Sequence, residues 1–384
     1  MNTPRKSYNW SPLIIILLVA AVAALFSLLV LERSKPQLAQ APSAALESVS
    51  TQQYHWKMVT SWPKNTPGLG VSAEKISTII NEMSGGRLQI HVYGANELVP
   101  AMGVFDAVSS GSVEMGHFGS YFWRGKVPAA QFFTSIPFGM NAQELNGWFN
   151  YGGGLELWRE VYAPFNLIPF PAGNTGVQMA GWFNREINSI DDLRGLKMRI
   201  PGLAGEVFNA AGGTAVNIPG GELYTALQTG VIDASEWVGP ENDLAFGFQQ
   251  IAKYYYYPGW HEPGPTLELM VNKPAFEALP ADLQAIVTYA ARTVNQDMLD
   301  SYTANNSRAL KELIAQGVQI KRLPDEVLKR FYEIAQDVYA KQAEQDPQFK
   351  KVLDSYMAFM KDSAPYQKIS EQTYYEVREQ QIHK

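Results

Sequence analysis

Residues 230–240, GVIDASEWVGP, place Asp233 and Glu236 among apolar neighbours and set Glu236 directly against Trp237. Upstream, GLKMRIPG carries Arg199 in a short run that is otherwise apolar beyond Lys197. A guanidinium cannot be buried there alone, because desolvating an unpaired charge costs too much. Its carboxylate partner is either an acid of the chain or the head of a bound ligand, gripped by two parallel N–H···O bonds. Glu236 is equally open: a surface acid beside a core tryptophan, or a carboxylate turned onto something bound. Two more polar groups are set among apolar ones. Gln178 lies between Val177 and Met179 in GNTGVQMAGWFN, and Glu262 lies in the turn-rich PGWHEPGP that ends the aromatic run Tyr254–Tyr257. Backbone can satisfy a buried amide as well as a ligand can, and the aromatics suit either a core or a cleft wall.

Catalytic spacings are missing. HEPGP begins like a zinc-protease helix, but it lacks the second histidine and its two prolines would break that helix. His55, His91, His117, His261 and His383 show no metal-ligand spacing, and there is no G-x-S-x-G elbow. The chain has no cysteine, which excludes disulfides, thiolate metal sites and thiol nucleophiles. GLGVSA at 68–73 matches G-x-G-x-x-A. However, WPKNTP separates it from the preceding strand, whereas a dinucleotide fingerprint occupies the turn right after its strand. Backbone amides at that helix start could still meet an anion.

The elements that must carry these groups are those of an α/β protein. YHWKMVTSW at 54–62 reads as a strand, GVSAEKISTIINEMSGG at 70–86 as a helix closed by a glycine pair, and RLQIHVYG as a second strand. A parallel sheet with covering helices is expected. LVPAMGVFDAVSSGSVEMG at 98–116 aligns without gaps with NIPGGELYTALQTGVIDAS at 217–235. Both copies hold proline (Pro100, Pro219), an aromatic (Phe105, Tyr224), alanine (Ala107, Ala226) and glycine (Gly111, Gly230), then an apolar–acidic pair, Val113-Glu114 and Ile232-Asp233. The repeated unit is a short helix, a glycine stop and a strand, which implies two similar lobes with a cleft between them. In DDLRGLKMRI a turn leads into a strand whose alternation puts Lys197 and Arg199 on one face and Met198 and Ile200 on the other. A long helical stretch broken near Leu279-Pro280 follows. Beyond Pro324, Leu328, Phe331, Ile334, Ala335, Val338 and Tyr339 recur at helical spacing. This helical tail either packs on a partner subunit or folds back on its own lobes.

The 384 residues are enough for two domains, and with 46% hydrophobic and 18% charged residues most of the chain should fold. A net charge of −6 gives no reason to bind nucleic acid. Arg5 and Lys6 precede Leu13–Leu31, 19 uncharged residues that nearly match the ~30 Å apolar thickness of a bilayer. This order keeps residues 1–12 cytoplasmic and exports the rest. The run's length favours a retained anchor at 13–31 over a cleaved signal, although LAQA at 38–41 is a candidate cleavage site. Small, polar residues through 52 form a linker.

TSWP, AGNTGVQ, GLKMRIPG, PGGELYTALQTGVIDASEWVGP and YYYYPGWHEPGPTLELMVNK fall in one order along the chain. Together they resemble the solute-binding subunits of tripartite ATP-independent periplasmic (TRAP) transporters, specifically the DctP-type subfamily that binds α-keto acids. The likeness runs from about Tyr54 to the C-terminus. It implies a two-lobed periplasmic solute-binding fold of the α/β class, with a ligand cleft between the lobes and a long C-terminal helical extension. The lobes are expected at 53–174 with about 238–268 (lobe I) and 175–237 with about 269–325 (lobe II), and a dimerising extension at 326–384.

Carried over by the same resemblance, Arg199 would hold the ligand's carboxylate, while Gln178, Glu236 and the main-chain oxygen of Trp237 would hold a metal cation. Glu262, Tyr121, Asn217, Gln178 and Trp237 complete the expected ligand contacts. The ligand would be a 2-oxo or 2-hydroxy monocarboxylate, pyruvate-like or longer. The implied partners are integral membrane permease subunits and a second copy of the chain. Charge counting agrees with a cation: a monocarboxylate (−1), Arg199 (+1) and Glu236 (−1) leave net negative charge in a closed cleft. Sodium brings the sum to zero and calcium to +1, and both accept oxygen ligands. Asp233, aligned with Glu114, is expected to be structural. An exported enzyme acting on such acids, or a sensory protein with the same cleft, would differ by showing turnover or by lacking permease partners.

Overall fold

A computed structural model of the chain describes residues 20–25, 27 and 52–382. The chain divides into two units, Met1–Gln52 and Gln53–Lys384. In the first, residues 20–25 and 27 are helical and exposed. The expected N-terminus, most of the 13–31 run and nearly all of the 32–52 linker lie outside the described residues. Among the described residues no helix is long and apolar enough to cross a membrane.

The second unit holds two mixed sheets. The first has the order β2-β1-β3-β10-β4, from β1 (Tyr54–Thr60), β2 (Leu88–Tyr93), β3 (Met115–Phe118), β4 (Leu167–Asn174) and β10 (Thr266–Asn272). The other has the order β11-β9-β5-β8-β6-β7, from β5 (Gly181–Phe183), β6 (Lys197–Arg199), β7 (Thr214–Val216), β8 (Ala234–Ser235), β9 (Tyr254–Tyr257) and β11 (Gln319–Arg322). The β-α-β opening forms as expected: β1 and β2 pair in parallel through the helix Leu69–Met83, and Gly85 and Gly86 take the positive φ that ends it. The glycines of GLGVSA serve packing. A Cβ on Gly68 would lie 2.2 Å from the Tyr302 ring, and one on Gly70 would lie 2.4 Å from the Pro63 carbonyl.

The two repeat copies have one structure. Each proline precedes a 3-10 turn and a six-residue helix, Val104–Ser109 or Leu223–Gln228. Gly111 and Gly230 both sit at φ 74°, and each copy then enters a strand that pairs in parallel with an earlier one, β3 with β1 and β8 with β6. The paired acids do the same work. Glu114 accepts the backbone N–H of Lys57 at 2.7 Å and Asp233 that of Lys197 at 2.9 Å, so Asp233 ties two segments together.

Two expected memberships are corrected by strand pairing. Tyr254–Tyr257, placed in lobe I with 238–268, belongs to the second sheet, where β9 pairs with β5 and Tyr255 stacks on Trp182 with centroids 4.1 Å apart. Thr266–Asn272, most of which was placed in lobe II with 269–325, is buried throughout between β3 and β4 of the first sheet. The helix Ala281–Ala315, also placed in lobe II, packs on β4 and on Leu69–Met83 and reaches Pro240–Phe246. At about 1.5 Å per residue its 35 residues span about 50 Å.

The chain therefore passes between the sheets at 175–180 and again at 258–265, and these crossings lie side by side. Thr175 N–H donates to the Pro265 carbonyl at 3.1 Å, Gln178 N–H to that of Glu262 at 3.2 Å, and Ala180 N–H to that of Tyr256 at 2.8 Å. Such an approach requires glycine at 259, where a Cβ would lie 2.2 Å from the Gln178 carbonyl oxygen.

The C-terminal extension divides. Helices Asp325–Gln345 and Pro347–Gln367 bury Phe331, Ile334, Tyr339, Phe349, Val352 and Tyr356. The Tyr339 hydroxyl donates to the Pro137 carbonyl at 2.6 Å, and the Tyr356 hydroxyl accepts the Met140 N–H at 2.6 Å. Residues up to about 360 thus fold back on their own lobes, which corrects the assignment of all of 326–384 to dimerisation. Beyond this point Tyr366, Ile369, Tyr374, Tyr375, Val377 and Ile382 stand exposed.

Candidate ligand and cation site

β6 ends on Arg199, and its neighbour β8 runs directly into Glu236: Arg199 and Ser235 are in register, and Glu236 N–H donates to the Arg199 carbonyl at 3.2 Å. Strand pairing so delivers a guanidinium and a carboxylate, 1% exposed each, to one point. Lys197 shares the face of Arg199 as alternation requires, but only the arginine is inside. Its Nη1 pairs with Glu236 Oε1 and reaches the Glu236 carbonyl at 3.4 Å, Nε donates to the Ile218 carbonyl at 3.2 Å, and the guanidinium lies 5.4 Å from the Trp237 ring centroid. The protein's own acid therefore pairs with Arg199. The Trp237 ring is seated on Gly220, where a Cβ would come within 2.2 Å of it, and meets Trp62 of the first lobe edge-on at 6.2 Å.

The crossing segments bring the remaining groups. Gln178, on 175–180, donates from Nε2 to Thr175 Oγ1 at 3.2 Å. Glu262, on 258–265, is 4% exposed. Burial pushes its carboxyl well above the ordinary range, the charge of Glu236 adds to this, and Arg199, Tyr121 and Gln178 oppose it. The Tyr121 hydroxyl is likewise raised, by burial first and then by the charges of Glu262 and Glu236. Of the expected residues, the fold gathers Arg199, Glu236, Trp237, Gln178, Glu262 and Tyr121. Asn217 stands apart, exposed, lining a cavity of about 70 Å³ with Tyr121, Pro201 and Gly202. A larger groove of about 510 Å³, between Phe170 and Phe276, shares none of these residues.

His261 joins them without any spacing signal in the sequence. Its Nε2 lies 3.4 Å from Glu236 Oε2, and Glu236, His261 and Glu262 each offer a ligand atom within 4.8 Å of the others. Its partner is 25 residues away, so only the pairing of the crossings unites them. Its one legible trait is adjacency to Glu262.

Several buried atoms here have no hydrogen-bond partner among the described residues: Gln178 Oε1, Glu236 Oε2 and both ring nitrogens of His261. The Trp237 main-chain oxygen accepts no hydrogen bond either. Leaving a buried polar group unpaired costs about 1–3 kcal/mol, more for a charge, so a cluster of them marks a place built for a ligand.

The family described as bacterial extracellular solute-binding protein, family 7 (DctP) matches residues 58–346. The chain belongs to the DctP family. Among DctP relatives, a protein of Nostoc sp. (strain PCC 7120) named monocarboxylate 2-oxoacid-binding periplasmic protein is 46% identical over 83% of this chain and 87% of its own. A TRAP periplasmic solute-binding protein of Pseudoalteromonas atlantica T6c, solved with bound sodium and pyruvate, is 44% identical with a TM-score of 0.83, covering 85% of this chain and 99% of that one. Its counterpart from Colwellia psychrerythraea, solved with bound calcium and pyruvate, is 43% identical with the same TM-score and coverage. The two-lobed fold of TRAP solute-binding proteins is thus shared over 85% of the chain. The proteins of this DctP group are named for solute binding, and the Nostoc relative for the periplasm.

Proposed function

We propose that the chain is an extracytoplasmic receptor that binds a small 2-oxo or 2-hydroxy monocarboxylate, pyruvate or a longer keto acid, together with sodium or calcium. It would deliver that acid to the membrane permease subunits of a TRAP transporter. The observation that carries this reading is a pair of buried side-chain oxygens with no hydrogen-bond partner among the described residues, Gln178 Oε1 and Glu236 Oε2, beside the Trp237 carbonyl. An amide, a carboxylate and a carbonyl are hard donors suited to sodium or calcium, so the residues present fit such an ion.

In this reading Arg199 would grip the acid's carboxylate, and Gln178, Glu236 and the Trp237 carbonyl would hold the cation. Tyr121 and Glu262 border the ligand, and Asn217 lies at the cavity mouth. Glu262, the second acid at this point, would add a further oxygen beside the ion and the ligand. Closure of the lobes about the paired crossings would seal the acid in, with contacts drawn from both sides. In this reading the protein is a receptor, which the solute-binding names of its relatives support.

Calorimetry on residues 53–384 tests the reading. Pyruvate, a longer 2-oxo acid and lactate are titrated in sodium, in calcium and after chelation. Cation-dependent binding of at least one acid is expected, and no binding in any buffer would defeat the proposal.

The exposed apolar side chains beyond residue 360 favour a homodimer through the end of the extension. Sedimentation should then show a dimer that becomes a monomer when residues 364–384 are removed, and an unchanged mass would reject it. The 13–31 run favours a tether to the inner membrane, and the N-terminal sequence of the protein recovered from membranes decides between anchor and cleaved signal.

A further inference from the structure

Three contacts converge on Asp243, a buried acid outside the motifs that carry the binding residues. Its Oδ2 accepts the Trp182 indole N–H at 3.0 Å and the Tyr255 hydroxyl at 2.6 Å. Those rings stack on each other across β5 and β9, so that oxygen is fixed by the sheet itself. The other oxygen, Oδ1, accepts the Val238 N–H at 3.2 Å. This N–H belongs to the same peptide unit as the Trp237 carbonyl. In a trans peptide the two groups point in opposite directions across one plane. Holding the N–H toward Asp243 therefore aims the carbonyl oxygen away from it. The far side of Val238 is held too, since its carbonyl accepts the Met179 N–H at 3.1 Å, one residue from Gln178.

We propose that Asp243 is the positioning residue of the cation site, orienting the Trp237 carbonyl as a ligand through the shared peptide plane. This rests on the cation reading given above. The bond also does electrostatic work: a carboxylate accepting the N–H polarises the peptide and makes its oxygen a better donor to a cation, as hydrogen-bonded neighbours of metal ligands do. Asparagine at 243 keeps the size but loses the charge, and it turns an amide N–H toward donors on one side.

Terbium luminescence on the full chain supplies the test. Terbium substitutes for calcium, Trp237 lies close enough to sensitise it, and lifetimes in light and heavy water count its bound waters. The unaltered chain should show sensitised emission that calcium displaces and that Glu236→Gln removes. Asp243→Asn should bind terbium roughly 10- to 100-fold more weakly and gain about one coordinated water. Tyr255→Phe, which loosens the carboxylate without removing it, should move both readings the same way by less. A role confined to folding would lower the melting temperature but leave affinity and water count unchanged in both folded variants, and that result overturns the proposal. Should Asp243→Asn not fold, Tyr255→Phe alone decides by the same readings. Should the unaltered chain give no emission, the sodium dependence of its pyruvate affinity carries the same comparison between variants, and absence of any sodium or calcium dependence would remove the cation reading, and this proposal with it.

Discussion

Alanine at position 199 should abolish measurable pyruvate binding and also lower the stability of the unliganded protein by about 3–5 kcal/mol. The first effect follows from the proposed role of Arg199: two charge-assisted bonds to the ligand's carboxylate would be lost together, weakening binding by a factor of at least about 100. The second follows from what is left behind. Glu236, 1% exposed, would keep its carboxylate beside Glu262 with no counter-charge. The sequence alone leaves Arg199 a choice between a structural acid and a ligand, and the structure pairs it with Glu236, which the proposal also assigns to the cation. Urea unfolding and calorimetry separate the two roles. The double variant Arg199→Ala, Glu236→Gln should regain much of the stability and none of the binding. If Arg199→Ala retained near-native pyruvate affinity, the guanidinium would be only a structural bridge.

Glu236→Gln should uncouple the acid from its cation. Glutamine preserves an oxygen for Arg199 but withdraws the carboxylate oxygen that has no hydrogen-bond partner in the unliganded protein. Pyruvate affinity at saturating calcium is expected to fall roughly 100-fold, the scale of losing a charged contact at a buried site. What remains should not respond to chelation. The melting temperature gives an independent reading: calcium binding only to the folded form raises it as the ion concentration passes its dissociation constant, and the glutamine variant should show no such rise. A variant that is merely less stable, with its calcium dependence intact, would show that Glu236 is not a cation ligand.

Local signals in the sequence were reliable where one short segment decides its own shape. Pro100 and Pro219, with Gly111 and Gly230, define the duplicated unit because proline fixes φ and glycine takes a left-handed turn, whatever lies beyond. Arg199 is legible because an arginine in an apolar strand has to be answered by a carboxylate. Long-range pairing is not legible in this way. Tyr254–Tyr257 and Thr266–Asn272 are both mostly apolar strands, and their membership depends on partners such as Gly181–Phe183 and Leu167–Asn174, about 70–100 residues upstream. His261 and Asp243 were missed for the same reason, since each matters only through a group on another segment. The apolar stripe of the C-terminal helices was visible, but not the surface it meets. That depends on single contacts such as the Tyr356 hydroxyl on Met140.

Gln178 and Glu262 ride on two of the segments that pass between the sheets, 175–180 and 258–265. Points close to an axis of rotation travel least while the rims sweep furthest, so an ion resting there would feel almost the same surroundings whether the jaws are apart or together. The metal could then load while the jaws are still apart and be held more tightly once the acid arrives. The swing itself would answer to the organic acid, whose arrival bridges parts that do move.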